Sequence, residues 1–143
     1  MRTIKFRAWQ SNDGAIGGRM NYDVLKNNTL SQIENWDWEL MQFTGLLDKN
    51  SKEIYEGDIV MYEDTESEYV DVGVGEVKVA ETTVNSFAEI KFEKGCFGLQ
   101  IKEGELFKYS KGFQTFQWWE SEMGEEPSVE IIGNIYQDKD LLE

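Results

Sequence analysis

The sequence predicts a mainly β fold, a small curled or barrel-like sheet with one or two short helical pieces. Three observations carry that expectation. Apolar and polar residues alternate over short runs, glycines separate those runs, and no long stripe of helical period competes with them. The 143 residues fit a single domain over 1–143, and a chain of that size buries roughly two thirds of its unfolded surface, enough for a self-sufficient core.

The elements follow in order. "TIKFRAW" sets Ile4, Phe6 and Ala8 on one side and Thr3, Lys5 and Arg7 on the other, the period of a half-buried strand. "GAIGGRMNYDVL" reads as a glycine loop entering a short extended piece around Met20 to Val24. In "TLSQIENWDWELMQ", Thr29 or Ser31 suits the cap of a helical turn near Asn28 to Asn35, and a strand is expected from about Trp38 to Thr44, ended by Gly45. "DKNSKE" is a polar turn in which Asp48 and Asn50 bond nearby backbone. "YEGDIV" is a tighter turn at Glu56-Gly57-Asp58, capped by the Asp58 carboxylate, and the strand that follows carries apolar residues on both faces.

After a strand over "DIVMYED", Val70, Val72 and Val74 share one phase and Val77 and Val79 the next, so two strands meet at a bulge or corner between Gly73 and Gly75. "AEIKFEKGCFGLQIK" is a hairpin turning at Glu93-Lys94-Gly95. "GFQTFQWWES" and "SVEIIGNIY" supply two more strands, with Pro127 in the acidic loop between them, and Gln137 to Leu142 closes with a helical turn.

Charge bounds the function. With 28 acidic and 14 basic residues the chain carries −14, a field that repels phosphate backbones, so direct nucleic-acid binding is not expected. From Glu53 to Asp71 there are eight carboxylates and no base, and from Phe113 to Asp138 six and none. Such runs are either solvated faces or a surface for a basic partner. The lone Cys96 makes no internal disulfide, which suits a cytoplasmic setting, and "MRTIKFRAWQ" resembles neither a signal peptide nor a membrane span.

Catalytic motifs fare poorly. The absence of histidine removes imidazole bases and most zinc sites. Cys96 has no cationic cluster beyond Lys94 and reads as a buried structural thiol. "DKNSKE" begins like a calcium loop, but Lys52 stands where a third oxygen ligand belongs and Glu53 replaces the turn glycine. "GVGEVK" has Lys78 in place of the third glycine of a dinucleotide fingerprint. Glu120 and Glu122 share one strand face, whereas paired glycosidase acids usually come from separate segments. Of the aromatic residues Phe113, Phe116, Trp118 and Trp119, the adjacent tryptophans face opposite ways in a strand, so one is core or interface and the other can be surface.

Three segments, "MRTIKFRAW", "QFTGLLDKNSKEIYEGDIV" and "IIGNIY", occur here in that order and frame the chain. In this combination the chain resembles the YopX family of phage and prophage proteins, with Ser51 where the family usually has glycine. The resemblance implies a predominantly β fold and a mobile-element origin, and it transfers no activity, cofactor or catalytic residue. The leading expectation is therefore a non-catalytic protein-binding module with no cofactor or metal, its structural corner formed by Gly45, Asp48, Asn50, Gly57 and Asp58. Its interaction surface is drawn from Glu63, Asp64, Glu66, Glu68, Trp118 and Trp119, and its partner is an unknown host or phage protein or a second copy. The alternative is a carboxylate-dependent, metal-assisted enzyme using Asp58, Glu63 and Asp64. A third reading is an acidic mimic of nucleic acid that occupies a host DNA-binding protein.

Overall fold

The computed structural model describes residues 3–11, 17–103, 112–116 and 128–142. Its first half forms a four-stranded sheet from β1 (Phe6–Gln10), β2 (Arg19–Tyr22), β3 (Glu39–Leu47) and β4 (Glu53–Tyr55), in the order β2-β1-β3-β4. Neighbouring strands run antiparallel. Between β2 and β3 lie a 3-10 turn at Val24–Lys26 and a short helix, α1 (Leu30–Asn35). Thr29 caps α1 as its residue type predicts, and Gln32 completes a reciprocal capping box. Ile33 of that helix packs with Ala8 of β1 and with Val24, closing one face of the small sheet.

The second half is a five-stranded sheet in the order β8-β7-β6-β5-β9. Its strands are β5 (Asp58–Asp71), β6 (Glu76–Glu93), β7 (Cys96–Glu103), β8 (Phe113–Thr115) and β9 (Glu130–Asn134). Val60, Tyr62, Ala88, Ile90, Leu99 and Ile101 form its buried face, and Ile54 of β4 and Leu46 of β3 pack onto them. The two sheets therefore share a core, and the chain curls because β3 and β4 must reach across to complete it. Each large apolar side chain buried there stabilises the fold by about 1.5–3 kcal/mol.

Several expected boundaries move, each for a local reason. Gly45 does not end β3: with φ +92 it allows a bulge where the register against β4 shifts between Phe43 and Leu47, and the strand runs on. The extended piece expected over Met20 to Val24 stops at Tyr22, where Asp23 takes a positive φ of 50 and starts the 3-10 turn. Arg7, assigned by alternation to the polar side of strand one, is buried, while Ile4 on the supposed inner side is 65% exposed.

The largest difference concerns β5 and β6. "DIVMYED" and "YVD" are parts of one 14-residue strand, and β6 runs for 18 residues from Glu76 to Glu93. The stretch "EDTESEY" is polar on both faces, so it carries no amphipathic period, and its pairing with β6 holds it extended. The turn between Gly73 and Gly75 is where it was expected: Val72 N–H donates to Gly75 O at 3.0 Å, and Asp71 Oδ1 accepts from Gly73 N–H at 2.7 Å. The β6–β7 hairpin turns at Lys94 and Gly95, both with positive φ, the geometry that matches the twist of the flanking strands.

Candidate functional site

The structure presents two regions for scrutiny, a buried charged corner and an exposed hairpin arm. The corner starts from Gly57, whose φ of +83 turns the chain between β4 and β5. Its N–H donates to Ile90 O at 2.8 Å and its carbonyl accepts from Ile135 N–H at 2.9 Å, so one residue ties together β6 and the turn after β9. An added Cβ would sit 3.3 Å from Met41 Sδ and 3.5 Å from Ile135 Cγ1.

Asp58 caps the turn, accepting Tyr55 N–H at 2.8 Å through Oδ2. Its other oxygen accepts from Arg7 of β1 at 2.7 Å, and the same guanidinium donates to Glu56 O at 3.2 Å. Arg7 also lies 4.7 Å from the centroid of the Tyr55 ring, a cation–π contact. Both charged side chains are buried, at 4% and 2% exposure, so this pair is desolvated rather than screened. Burial pushes the Asp58 carboxyl above its ordinary value, while Arg7 and the Tyr55 N–H oppose that rise. Burial, reinforced by the hydrogen bond to Glu53, pushes the Tyr55 hydroxyl up as well.

Asp48 behaves in the opposite way. Burial opposes its ionisation, but backbone N–H groups of Lys52, Ile131 and Asn50 donate to it and hold it below the usual aspartate value. It thereby ties the turn to β9. The Asn50 side chain bonds the Glu130 carboxylate. Around this corner the three segments that carry the family resemblance meet: Arg7 from the first, Gly57 and Asp58 from the second, Ile135 from the third. Trp9 and Tyr136, from the first and third, stack with ring centroids 5.7 Å apart.

A cavity of about 250 Å³ adjoins the corner and includes Glu39, Glu56, Glu89 and Tyr136 in its walls. Burial, followed by the charge of Glu89, raises the Glu56 carboxyl, and burial with the charges of Glu39, Glu56 and Glu89 raises the Tyr136 hydroxyl. Sequence reasoning missed this convergence because the three glutamates come from β3, the β4–β5 turn and β6. Among the described residues, no group of three or more Asp, Glu, Cys or His side chains is placed to share a metal ion.

The metal set weighed from sequence does not converge. Asp58 lies in the buried phase of β5 with both oxygens engaged, whereas Glu63 is exposed in the opposite phase. Glu63, Glu66 and Glu68 are exposed along β5, and Asp64 lies there in register with Val84. Trp118 and Trp119, like Glu120 and Glu122, fall outside the described residues. Phe116 packs against the main core. Cys96 is half-buried rather than buried, and its thiol donates to Glu93 O at 3.4 Å.

The arm is the part of the β5–β6 hairpin beyond the buried pair of Tyr62 and Ser86. Val74 at its tip is 96% exposed, and Tyr69, Val70, Val72, Val77 and Val79 are all exposed. From Glu63 to Asn85 the arm carries seven carboxylates and one base, Lys78, which pairs with Glu81.

These regions define a small curled-sheet β protein, with a buried ionic corner locking the scaffold and one acidic hairpin projecting from it. The chain belongs to the YopX protein family, matching it over residues 5–143. It is similar in fold to a solved structure, protein EF1440 from Enterococcus faecalis, with 21% identity, a TM-score of 0.52 and 100% of both chains covered. No curated protein matches the sequence. Among the described residues no helix is long and apolar enough to cross a membrane.

Proposed function

We propose that this chain is a non-catalytic protein-binding module, encoded by a phage or prophage and working in the host cytoplasm, with the β5–β6 arm as its contact surface. The observation that carries this reading is the exposure of an apolar tip on an acidic ribbon. A two-stranded hairpin is marginally stable on its own in water, and clustered exposed apolar side chains mark interaction surfaces. The carboxylates select against phosphate backbones and favour a basic protein surface.

The test replaces Ser67 to Glu81 with an Asn-Gly turn and compares affinity capture from host lysate with that of the parent. The shortened variant is expected to melt at the parent's temperature and to lose the captured protein. If it captures the same protein, or if the parent captures none, the reading fails. Melting in Mg²⁺, Mn²⁺ or Ca²⁺ separates the metal-assisted alternative, because a specific site raises the midpoint by mass action. We expect no change.

A further inference from the structure

We infer that the tip of the β5–β6 arm seats in an apolar cavity on a second copy of this chain, so that copies associate tip to cavity. The inference goes beyond the binding role proposed above, because it assigns a cavity which that role leaves unused. The cavity, of about 430 Å³, lies between the start of β1 and the 3-10 turn at Val24–Lys26. Ile4, Phe6 and Leu25 line it together with Lys5, Lys26 and Asp23, an apolar site with one more base than acid. The cavity beside Tyr136, by contrast, takes glutamates from three elements. Ile4 is exposed. Lys5 is engaged by Glu53, whereas Lys26 is 72% exposed and paired only three positions along the chain with Asp23. Such a surface pair contributes little, so Lys26 is available to other carboxylates.

The tip has the complementary chemistry. Val72 and Val74 are exposed there, and the turn that presents them is closed by the bond from Val72 N–H to Gly75 O, so little order remains to be imposed on binding. Below the turn, Asp71 lies directly opposite Glu76, a like-charge pair that opposes its own strand pairing. A lysine ammonium set between them relieves that repulsion, and Lys26 at the cavity supplies one. Val74 is 96% exposed, so the tip is not seated on its own molecule and the occupied cavity belongs to another copy. Charge is divided along the chain in the same sense, with seven bases and six acids up to Lys52 and seven and 22 beyond it. The −14 on each copy opposes approach at long range. Salt at about 0.15 M screens that repulsion beyond roughly 8 Å and leaves the local match.

A contact this small is weak, so the full chain is sedimented over concentrations up to about 1 mM in about 0.15 M salt. The parent is expected to associate as concentration rises. Val74→Asp and, separately, Ile4→Asp should each weaken association at least about tenfold while melting at the parent's temperature. Mixed together, these two variants are expected to form a one-to-one complex, since one keeps an intact cavity and the other an intact tip. Lys26→Glu should weaken association by roughly threefold to tenfold, and Glu76→Lys in the same chain should restore it. A parent that stays monomeric throughout, association that ignores either apolar substitution, or variants that stay apart when mixed would overturn the inference. Failure of Glu76→Lys to restore association would overturn the pairing of Lys26 with the tip. Ile4→Asp leaves the arm intact, so its capture of a host protein reports on the proposed binding role separately: capture retained without self-association leaves that role standing, and capture that survives shortening of the arm defeats it.

Discussion

The base and the arm of the β5–β6 hairpin are made of the same two strands, paired throughout with one register shift between Glu68 and Tyr69, yet they are held by different forces. At the base, Val60 pairs with Ala88 and both are buried, while Ile59 fills the other face. In the arm the pairing continues, but carboxylates and valines face water on both sides. A sheet can therefore be extended by backbone pairing far beyond its core, but residues there contribute little to stability and are free to vary with function. Mutations should separate the two regions cleanly.

The largest effect is expected at the corner. Arg7→Met removes one partner of a buried ion pair and should destabilise the fold by about 3–5 kcal/mol in denaturant titration at neutral pH. Because burial already favours the protonated form of Asp58, the variant's deficit should shrink as pH falls and the orphaned carboxyl takes up a proton. An equal deficit at acid and neutral pH would show that lost packing, not stranded charge, dominates.

Next comes Gly57→Val, which forces a β-branched residue to φ +83 beside Met41. It should lower stability by about 1–3 kcal/mol. An unchanged urea midpoint would mean that the corner is not constrained at that residue.

Asp48 supplies a pH signature. Its carboxyl is held below its ordinary value in the fold, so in acid the unfolded chain binds more protons than the folded one. Its contribution is fully present above the unfolded pKa of about 3.9 and is lost as pH falls through the folded value. Asp48→Asn should cost about 1–3 kcal/mol at neutral pH, by misaligning an acceptor for backbone donors. Its stability should also decline less steeply below pH of about 4 than that of the parent.

The smallest effects belong to the arm. Val74→Ser or Glu68→Gln should change stability by no more than about 0.5 kcal/mol. A loss comparable to that at Gly57 would break the division between a stabilising base and a free arm.

The resemblance acquires a physical meaning at Ser51. That residue stands where the family usually has glycine, and it adopts φ 64, a left-handed conformation that glycine reaches without strain. Ser51 bears the cost of that conformation. The nearby peptide of Gly57 shows the same demand met by glycine itself.

The sequence by itself determined what depends on neighbours a few positions apart. Thr29 caps α1, Gly57 and Asp58 make the corner turn, Gly73 to Gly75 reverse the arm, and Lys94-Gly95 closes the next hairpin. Each follows from local backbone sterics and hydrogen bonding, which the residue type at that position controls. Alternation likewise marked the strands that bury a face. Tertiary structure alone decided which distant groups meet: Arg7 reaches Asp58 across 51 positions, and Glu39, Glu56 and Glu89 converge on Tyr136 from separate elements. It also decided that "EDTESEY" is strand, because a segment polar on both faces leaves no period to read and is held by hydrogen bonds to another strand. Local chemistry restricts the conformations of a few residues, whereas long-range pairing depends on how the assembled sheets bring their side chains together, and a single chain's residue pattern does not encode that arrangement position by position.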